Sequence, residues 1–393
     1  MRVVLLTGGH DRSYAVGLTL ALTKLGVHVT YIGSNDTDAP ELHESPYIEF
    51  LNLRGSQSED VPFWQKVSRL FRYYVRLLRL GALARAPIFH ILWNNKVEWF
   101  DRTLLTLYYK LFGRQIVLTV HNVNAASRDA SDSAFNRWTL RLQYRMAAHL
   151  FVHTQKMADE LSEKFGVSAE KITVISFGIN NTNARTALTQ EQARNRLGLA
   201  STAKVGLFFG QIAPYKGLEY LLAAMREIVV SDGDFRLIVA GKVKKGHEGY
   251  WADNSRRLEA MEHRDRVLTR IEHIQDSEVE VYFKAADVLI VPYTAIFQSG
   301  VPFLAYSFGV PVIATDVGSL REDIVEGTTG LICRPRDPHD LARAVTCYFA
   351  GESYRCRATQ RMAIQNFANE KYSWAKTATA TMRTYAEVSK GTP

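Results

Sequence analysis

The feature that most constrains this chain is an alternation written twice along its length. Short runs rich in β-branched residues, Val3–Leu6, His28–Ile32, Ile88–Leu92, Ile116–Val120, Leu150–His153 and Ile172–Ile175, each adjoin a longer segment of helical period. Such alternation encodes βαβ units and a parallel sheet. The pattern restarts at Lys204–Phe209 and continues through Phe235–Ala240, Val288–Val291, Val312–Ala314 and Gly330–Ile332. Two parallel-sheet α/β units are therefore expected, and 393 residues suffice for two cores at roughly 100 to 200 residues per domain.

Between the two series, the polar stretch Phe177–Asn183 reads as a linker. This sets an N-terminal domain at 1–178, a linker and entry segment at 179–200, a second domain at 201–370 and a C-terminal helical segment at 371–393. The last segment has an apolar face at Trp374, Ala378, Met382 and Tyr385 that needs a surface to cover. Parallel sheets present ligands beyond the carboxyl ends of their strands, so two facing units predict an active site in an interdomain cleft.

Composition narrows the class. With 47% hydrophobic and 22% charged residues the chain is an ordinary globular protein, which sets aside disordered, collagenous and disulfide-scaffold classes. Cys333, Cys347 and Cys356 show neither close pairing nor metal-ligand spacing, as expected in a reducing compartment. The opening run Met1–Leu6 is too short for a signal peptide. No apolar run reaches the roughly 18 residues that span a bilayer, so a cytoplasmic protein is expected. The net charge of +8 leans toward anionic partners.

Several residues at strand ends point to an anion site. Ser299-Gly300 opens the helical run Val301–Phe308, where backbone N–H groups and the helix dipole favour negative charge; a glycine that merely turns the chain reads equally well. Gly210-Gln211 and Lys216-Gly217 follow the strand ending at Phe209, so Lys216 is placed to pair with a diphosphate as a point charge. Gly8-Gly9 after the first strand lack the three-glycine dinucleotide fingerprint but leave room for a phosphate or sugar. His121, with Asn122 and Asn124 beside it, stands at a strand's carboxyl end, where an imidazole can bond a sugar hydroxyl or a leaving phosphate. Asp36-Thr37-Asp38 reads as a solvated turn rather than a metal site.

Lys66, Arg69, Arg72, Arg76 and Arg79 recur at helical spacing, while Val67, Leu70, Phe71, Tyr74, Leu77 and Leu78 mark another face. A core helix with a solvated face explains this as well as adhesion to an anionic membrane does. Arg69, Arg72 and Arg76 are the membrane candidates, and nucleic acid is not expected, since no reading motif accompanies the charge.

The run Gly309-Val310-Pro311-Val312-Ile313-Ala314-Thr315-Asp316-Val317-Gly318, continued by Glu322 and Gly327–Leu331, resembles the family 4 glycosyltransferases, retaining enzymes of the GT-B fold. Ala285–Val288, Lys216-Gly217 after Gly210, and the Trp374 helix support the resemblance, which spans the chain and is weaker before Thr119. It implies two Rossmann-like domains, the last helix crossing back to the first. It also implies hexosyl transfer from a nucleotide-sugar co-substrate, UDP- or GDP-linked, to a glycan or lipid-linked acceptor in polysaccharide or glycolipid synthesis, with no cofactor or metal and a place on the cytoplasmic face of a membrane. By the same resemblance Lys216 neutralises the leaving diphosphate, His121 lies beside the transferred sugar, and His273 and Ile274 hold the nucleobase. Gly8, Gly9, Gly210, Gln211, Gln298, Ser299, Gly300 and Val301 complete the donor site. The family's two glutamates fall on Ile296 and Leu304, and its diphosphate-binding arginine falls on Gln211, so Gln298 is the substitute expected for the lost sugar contact. These departures keep open a non-catalytic sugar-nucleotide scaffold or sensor on the same fold.

Overall fold

The computed structural model describes residues 1–9, 11–57, 61–128, 131–179 and 186–390, so Asn180–Asn183 of the linker and residues 391–393 of the last segment lie outside the described residues. The chain divides into two compact units, Met1–Gly178 with Tyr372–Pro393, and Ile179–Lys371.

Unit 1 is built on seven strands, β1 (Arg2–Leu6), β2 (His28–Gly33), β3 (Ile48–Asn52), β4 (Ile88–Ile91), β5 (Gln115–Thr119), β6 (His149–Val152) and β7 (Ile172–Val174). Their order is β3-β2-β1-β4-β5-β6-β7, and every neighbouring pair is parallel. The central strands are apolar and buried on both faces, as parallel strands flanked by helices must be. The order reverses between β1 and β4, which opens a crevice at their carboxyl ends.

The C-terminal helix Trp374–Lys390 finds the surface it needs in this unit. Ala378 and Tyr385 are fully buried in the same core as Tyr14 and Leu18 of the helix Arg12–Thr23. A Cβ at Gly17 or Gly178 would stand 2.4 or 2.3 Å from the Trp374 ring, so both positions need glycine to admit the indole. The Tyr385 hydroxyl lies 2.6 Å from His90 Nδ1, whose Nε2 lies 2.7 Å from Thr119 Oγ1. Burial pushes the His90 imidazole down to about 3, so this bridge between helix and sheet is neutral.

Unit 2 is built on β8 (Lys204–Phe209), β9 (Phe235–Ala240), β10 (Val267–Arg270), β11 (Val288–Val291), β12 (Val312–Thr315) and β13 (Gly330–Cys333), in the order β10-β9-β8-β11-β12-β13 and again all parallel. Its reversal falls between β8 and β11. Asp287, just before β11, forms a buried ion pair with Arg194 at 2.7 Å and accepts the Val205 N–H at 2.8 Å, tying the entry helix Gln190–Arg196 to the sheet.

Two strands were not read from the sequence, and both are edges. β3 (Ile-Glu-Phe-Leu-Asn) and β10 (Val-Leu-Thr-Arg) are half-exposed and carry polar residues that hide the apolar run. The basic helix spans Phe63–Leu83 and buries Tyr73, Leu77 and Gly81, while Val67 and Phe71 of the expected apolar face are exposed.

Candidate functional site

In unit 2 the loops after β8 and β11, the two strands at the reversal, bring charge and hydrogen-bond donors together. After β8 the chain passes Gly210 and makes a short 3₁₀ turn, Pro214–Lys216. Gly217 follows at φ 65°, where an added Cβ would stand 2.0 Å from the Pro292 carbonyl oxygen; only glycine lets the two loops approach. The Thr294 N–H donates to the Tyr215 carbonyl at 2.9 Å, closing the same contact. Lys216 is thereby held almost fully buried, with Nζ donating to the Tyr293 hydroxyl at 2.7 Å and lying 4.0 Å from the centre of its ring.

Burial pushes the Tyr293 phenol well above its ordinary value, so it remains a neutral hydroxyl. That hydroxyl lies 3.4 Å from Ser299 Oγ, which in turn accepts the Val301 N–H at 3.4 Å and caps the helix Gly300–Ser307. Pro302 has no N–H, so Gly300 and Val301 supply the amides at this helix start. Gly210 belongs to the same cluster, since a Cβ there would touch Val301 at 3.6 Å. Gln298 Oε1 is buried, with no hydrogen-bond partner among the described residues. A second lysine reaches the cluster from the loop after β9: Lys244 Nζ lies 5.3 Å from the Tyr215 ring centre, against 5.5 Å for Lys216. The arrangement offers a cation, neutral hydroxyls and backbone amides at one crevice, which is the chemistry of a phosphate site.

In unit 1 the crevice is lined with rings. His121 stacks on Trp93 with centroids 4.1 Å apart and planes 2° from parallel, and its edge meets Tyr14 at 4.8 Å. His153 Nδ1 lies 3.2 Å from the Ile175 carbonyl, which can only accept, so the proton sits on Nδ1. Burial pushes His153 down to about 4, leaving its Nε2 bare. That atom lies 3.1 Å from His121 Nδ1, which must therefore donate. His121 and Asn122 line one pocket of about 230 Å³ with Trp93, Asn94, Arg102 and Gln143. Asn122 Oδ1 is buried and without a hydrogen-bond partner among the described residues.

The model of the glycosyltransferase family 4 matches residues 12–182, and that of the glycosyl transferases group 1 matches 203–350. The chain belongs to glycosyltransferase family 4. Among curated relatives, a D-inositol 3-phosphate glycosyltransferase of Streptomyces bingchenggensis is 32% identical over 250 residues, covering 62% of this chain and 54% of that protein, so this match spans about half the relative's length. The protein of the same name from Streptosporangium roseum is 24% identical over 388 residues, covering 95% of this chain and 87% of its own. Among solved structures, HepE of Anabaena in complex with UDP-glucose superposes with a TM-score of 0.76 at 16% identity, covering 98% of this chain and 100% of that one. The likeness shows the GT-B fold of two Rossmann-like units.

For this family 4 chain, the residues named from sequence separate into groups. Lys216, Gly210, Ser299, Gly300 and Val301 come together in unit 2, with Gln298 adjoining Ser299. Gln211 is exposed beside them. Ile274 is buried and His273 exposed in the loop after β10, two strands away in the sheet order from the Lys216 loop. The carbonyls of Gly8 and Gly9 already accept from Arg54 and, at 3.2 Å, from Gln57, so close packing accounts for these glycines. Asn124 Oδ1 accepts from Asn136 at 3.0 Å and from the Ser127 N–H at 3.3 Å, which commits it to holding the local turn. Arg69 and Arg76 donate to the carbonyls of Ser56 and Leu53, and Arg72 to that of Ser68 within its own helix. Tyr293, Lys244 and His153 were missed. Tyr293 and His153 stand one or two residues past a strand's carboxyl end, a signal the sequence carries, whereas Lys244 reaches Tyr215 only through the bridge that pairs Ile212 with Val243.

Proposed function

We propose that this chain transfers a hexosyl group, with retention of anomeric configuration, from a nucleoside-diphosphate sugar to a hydroxyl of a glycan or lipid-linked acceptor. The observation that carries the reading is the Lys216–Tyr293–Ser299 chain at the reversal of the unit 2 sheet. A diphosphate there meets Lys216 Nζ and the Gly300 and Val301 amides, and Lys244 supplies positive charge where Gln211 has replaced the family's arginine. In the reaction the acceptor oxygen bonds to the anomeric carbon on the face the phosphate leaves, the bond from that carbon to the β-phosphate oxygen breaks, and the acceptor proton passes to the departing oxygen. Fixed donors aimed at the charge that develops on the diphosphate lower the barrier. His121, oriented by His153, hydrogen-bonds a sugar hydroxyl. The donor is a co-substrate, and the reaction needs no metal. The UDP-glucose complex of HepE makes uridine the first base to test.

One observation favours a second reading, a non-catalytic sugar-nucleotide sensor: Ile296 and Leu304 stand where the family carries carboxylates. A thermal-shift panel of nucleotide sugars, followed by a turnover assay, decides between them. A donor at 100 times its Kd stabilises by about 2.7 kcal/mol. Turnover that collapses in Lys216→Ala supports transfer, whereas binding without turnover supports the sensor.

A further inference from the structure

Three helical segments of unit 1 stand side by side: Phe63–Leu83, the continuous run of Glu98–Phe100, Asp101–Leu105 and Thr106–Leu111, and Ala134–Met146. Side chains stitch them together. The Tyr74 hydroxyl donates to Asp101 at 3.1 Å, the Tyr108 hydroxyl to the Leu78 carbonyl at 3.0 Å, and Arg102 to Asn136 Oδ1 at 2.8 Å. Each helix also carries an apolar stripe that the core does not use. The stripes are Trp64, Val67 and Phe71 on the first, Leu104, Leu107 and Leu111 on the second, and Phe135 with Trp138 on the third, all at helical spacing and all exposed. Trp64, Phe71 and Leu111 are 78%, 70% and 76% exposed.

Single exposed apolar residues are ordinary, but apolar stripes on three adjoining helices make a surface that calls for a partner. The charge on the three helices is predominantly positive. The first and third helices contain no carboxylate. Of the two on the second, Glu98 is ion-paired with Arg102 and Asp101 is buried. Lys66, Arg72, Arg76, Arg79, Arg141 and Arg145 are exposed on the first and third helices, with Arg76 also donating to the Leu53 carbonyl. Aromatic and aliphatic side chains flanked by cations match the boundary between headgroups and acyl chains, and the unbalanced positive charge complements anionic lipid.

We propose that this three-helix face docks unit 1 on the surface of an anionic bilayer. Trp64, Phe71, Leu111 and Trp138 enter the headgroup boundary, and the surrounding arginines meet lipid phosphates. The inference goes beyond the transfer reading and does not rest on it. None of the helices described crosses the bilayer, since none among the described residues is long and apolar enough.

The test uses the full chain, without donor, and vesicles of phosphatidylcholine with or without phosphatidylglycerol. The expected result is co-sedimentation with the anionic vesicles and quenching of tryptophan emission by brominated acyl chains. The variant Trp64→Ser, Phe71→Ser, Trp138→Ser should keep the thermal midpoint and lose about tenfold or more in partition. Arg72→Gln with Arg79→Gln should weaken binding to anionic vesicles, and added salt should do the same. Absence of wild-type binding or of brominated-lipid quenching would overturn the proposal. So would a triple variant that binds as wild type does, or a dimer in light scattering that the triple variant converts to monomer, which would make the face a self-association surface. Because no donor is present, failure here leaves the transfer reading standing, and failure of transfer leaves this one standing.

Discussion

The two units reach the same topology and then use it in opposite ways. Both place their crevice where strand order reverses, between β1 and β4 in unit 1 and between β8 and β11 in unit 2. In unit 1 the crevice holds aromatic rings, with His121 stacked on Trp93 and steered by His153. In unit 2 it holds Lys216 against a tyrosine hydroxyl, a serine cap and a helix start. On the proposed reading, a common backbone plan serves recognition of hydroxyls by direction in one unit and of phosphate by charge in the other. The sheet sets where a site sits, and the loop residues set what it binds.

The contrast breaks most sharply at Lys216. Lys216→Ala should lower kcat/KM for transfer by about 10²- to 10³-fold, the range for losing one charge-stabilising donor. An unchanged thermal response of unit 1 would confine the loss to unit 2, and a variant with full kcat/KM would remove the charge-based half of the comparison.

Next in size is a difference in response to pH. Asp323 in unit 2 is pushed up to about 7 by burial, so the folded chain keeps a proton that the unfolded chain releases above about 3.8. Its contribution is full below that value and lost as pH rises toward 7. Asp323→Asn should therefore match wild type near pH 4 and gain on the order of 2 to 4 kcal/mol by pH 7. The buried imidazoles of unit 1 have the opposite sign. His90 and His153, pushed down to about 3 and 4, contribute fully above about 6.5 and lose that contribution as pH falls. Denaturant titrations of Asp323→Asn at several pH values check the first sign; a difference independent of pH would contradict it.

The ring-based half is tested by His153. His153→Leu removes the group that fixes the His121 tautomer and should lower kcat/KM about 10- to 100-fold. His153→Gln retains an acceptor for His121 and a donor for Ile175, and should recover most of that loss. Equal damage in both variants would mean that His153 acts through packing alone. The smallest effect expected is that of Tyr385→Phe, which removes the hydroxyl at His90. It should destabilise unit 1 by about 1 kcal/mol and leave donor affinity unchanged; a shift in donor Kd would contradict the separation of roles.

Much of this was legible because βαβ alternation is a strong signal. Eleven of the thirteen strands among the described residues read as β-branched or apolar runs, whereas the edges β3 and β10 expose a face and mix Glu49, Asn52, Thr269 and Arg270 into the pattern. Lys216 and Ser299 could be named because each follows a strand and adjoins a glycine. Lys244 could not, since its place beside Tyr215 depends on the bridge that pairs Ile212 with Val243. The Arg194–Asp287 pair is likewise a contact between residues 93 positions apart. Periodicity found the basic helix but not which side faces the core; Tyr73, Leu77 and Gly81 turn inward and leave Val67 and Phe71 outside.

The central claim is that unit 2 grips a diphosphate through Lys216 and the helix start at Ser299-Gly300. Calorimetric titration of UDP into wild type and Lys216→Ala tests it most directly. The account predicts a Kd at least about tenfold weaker in the variant, the loss of roughly 1.4 kcal/mol or more. Equal affinity of the two proteins for UDP would contradict it.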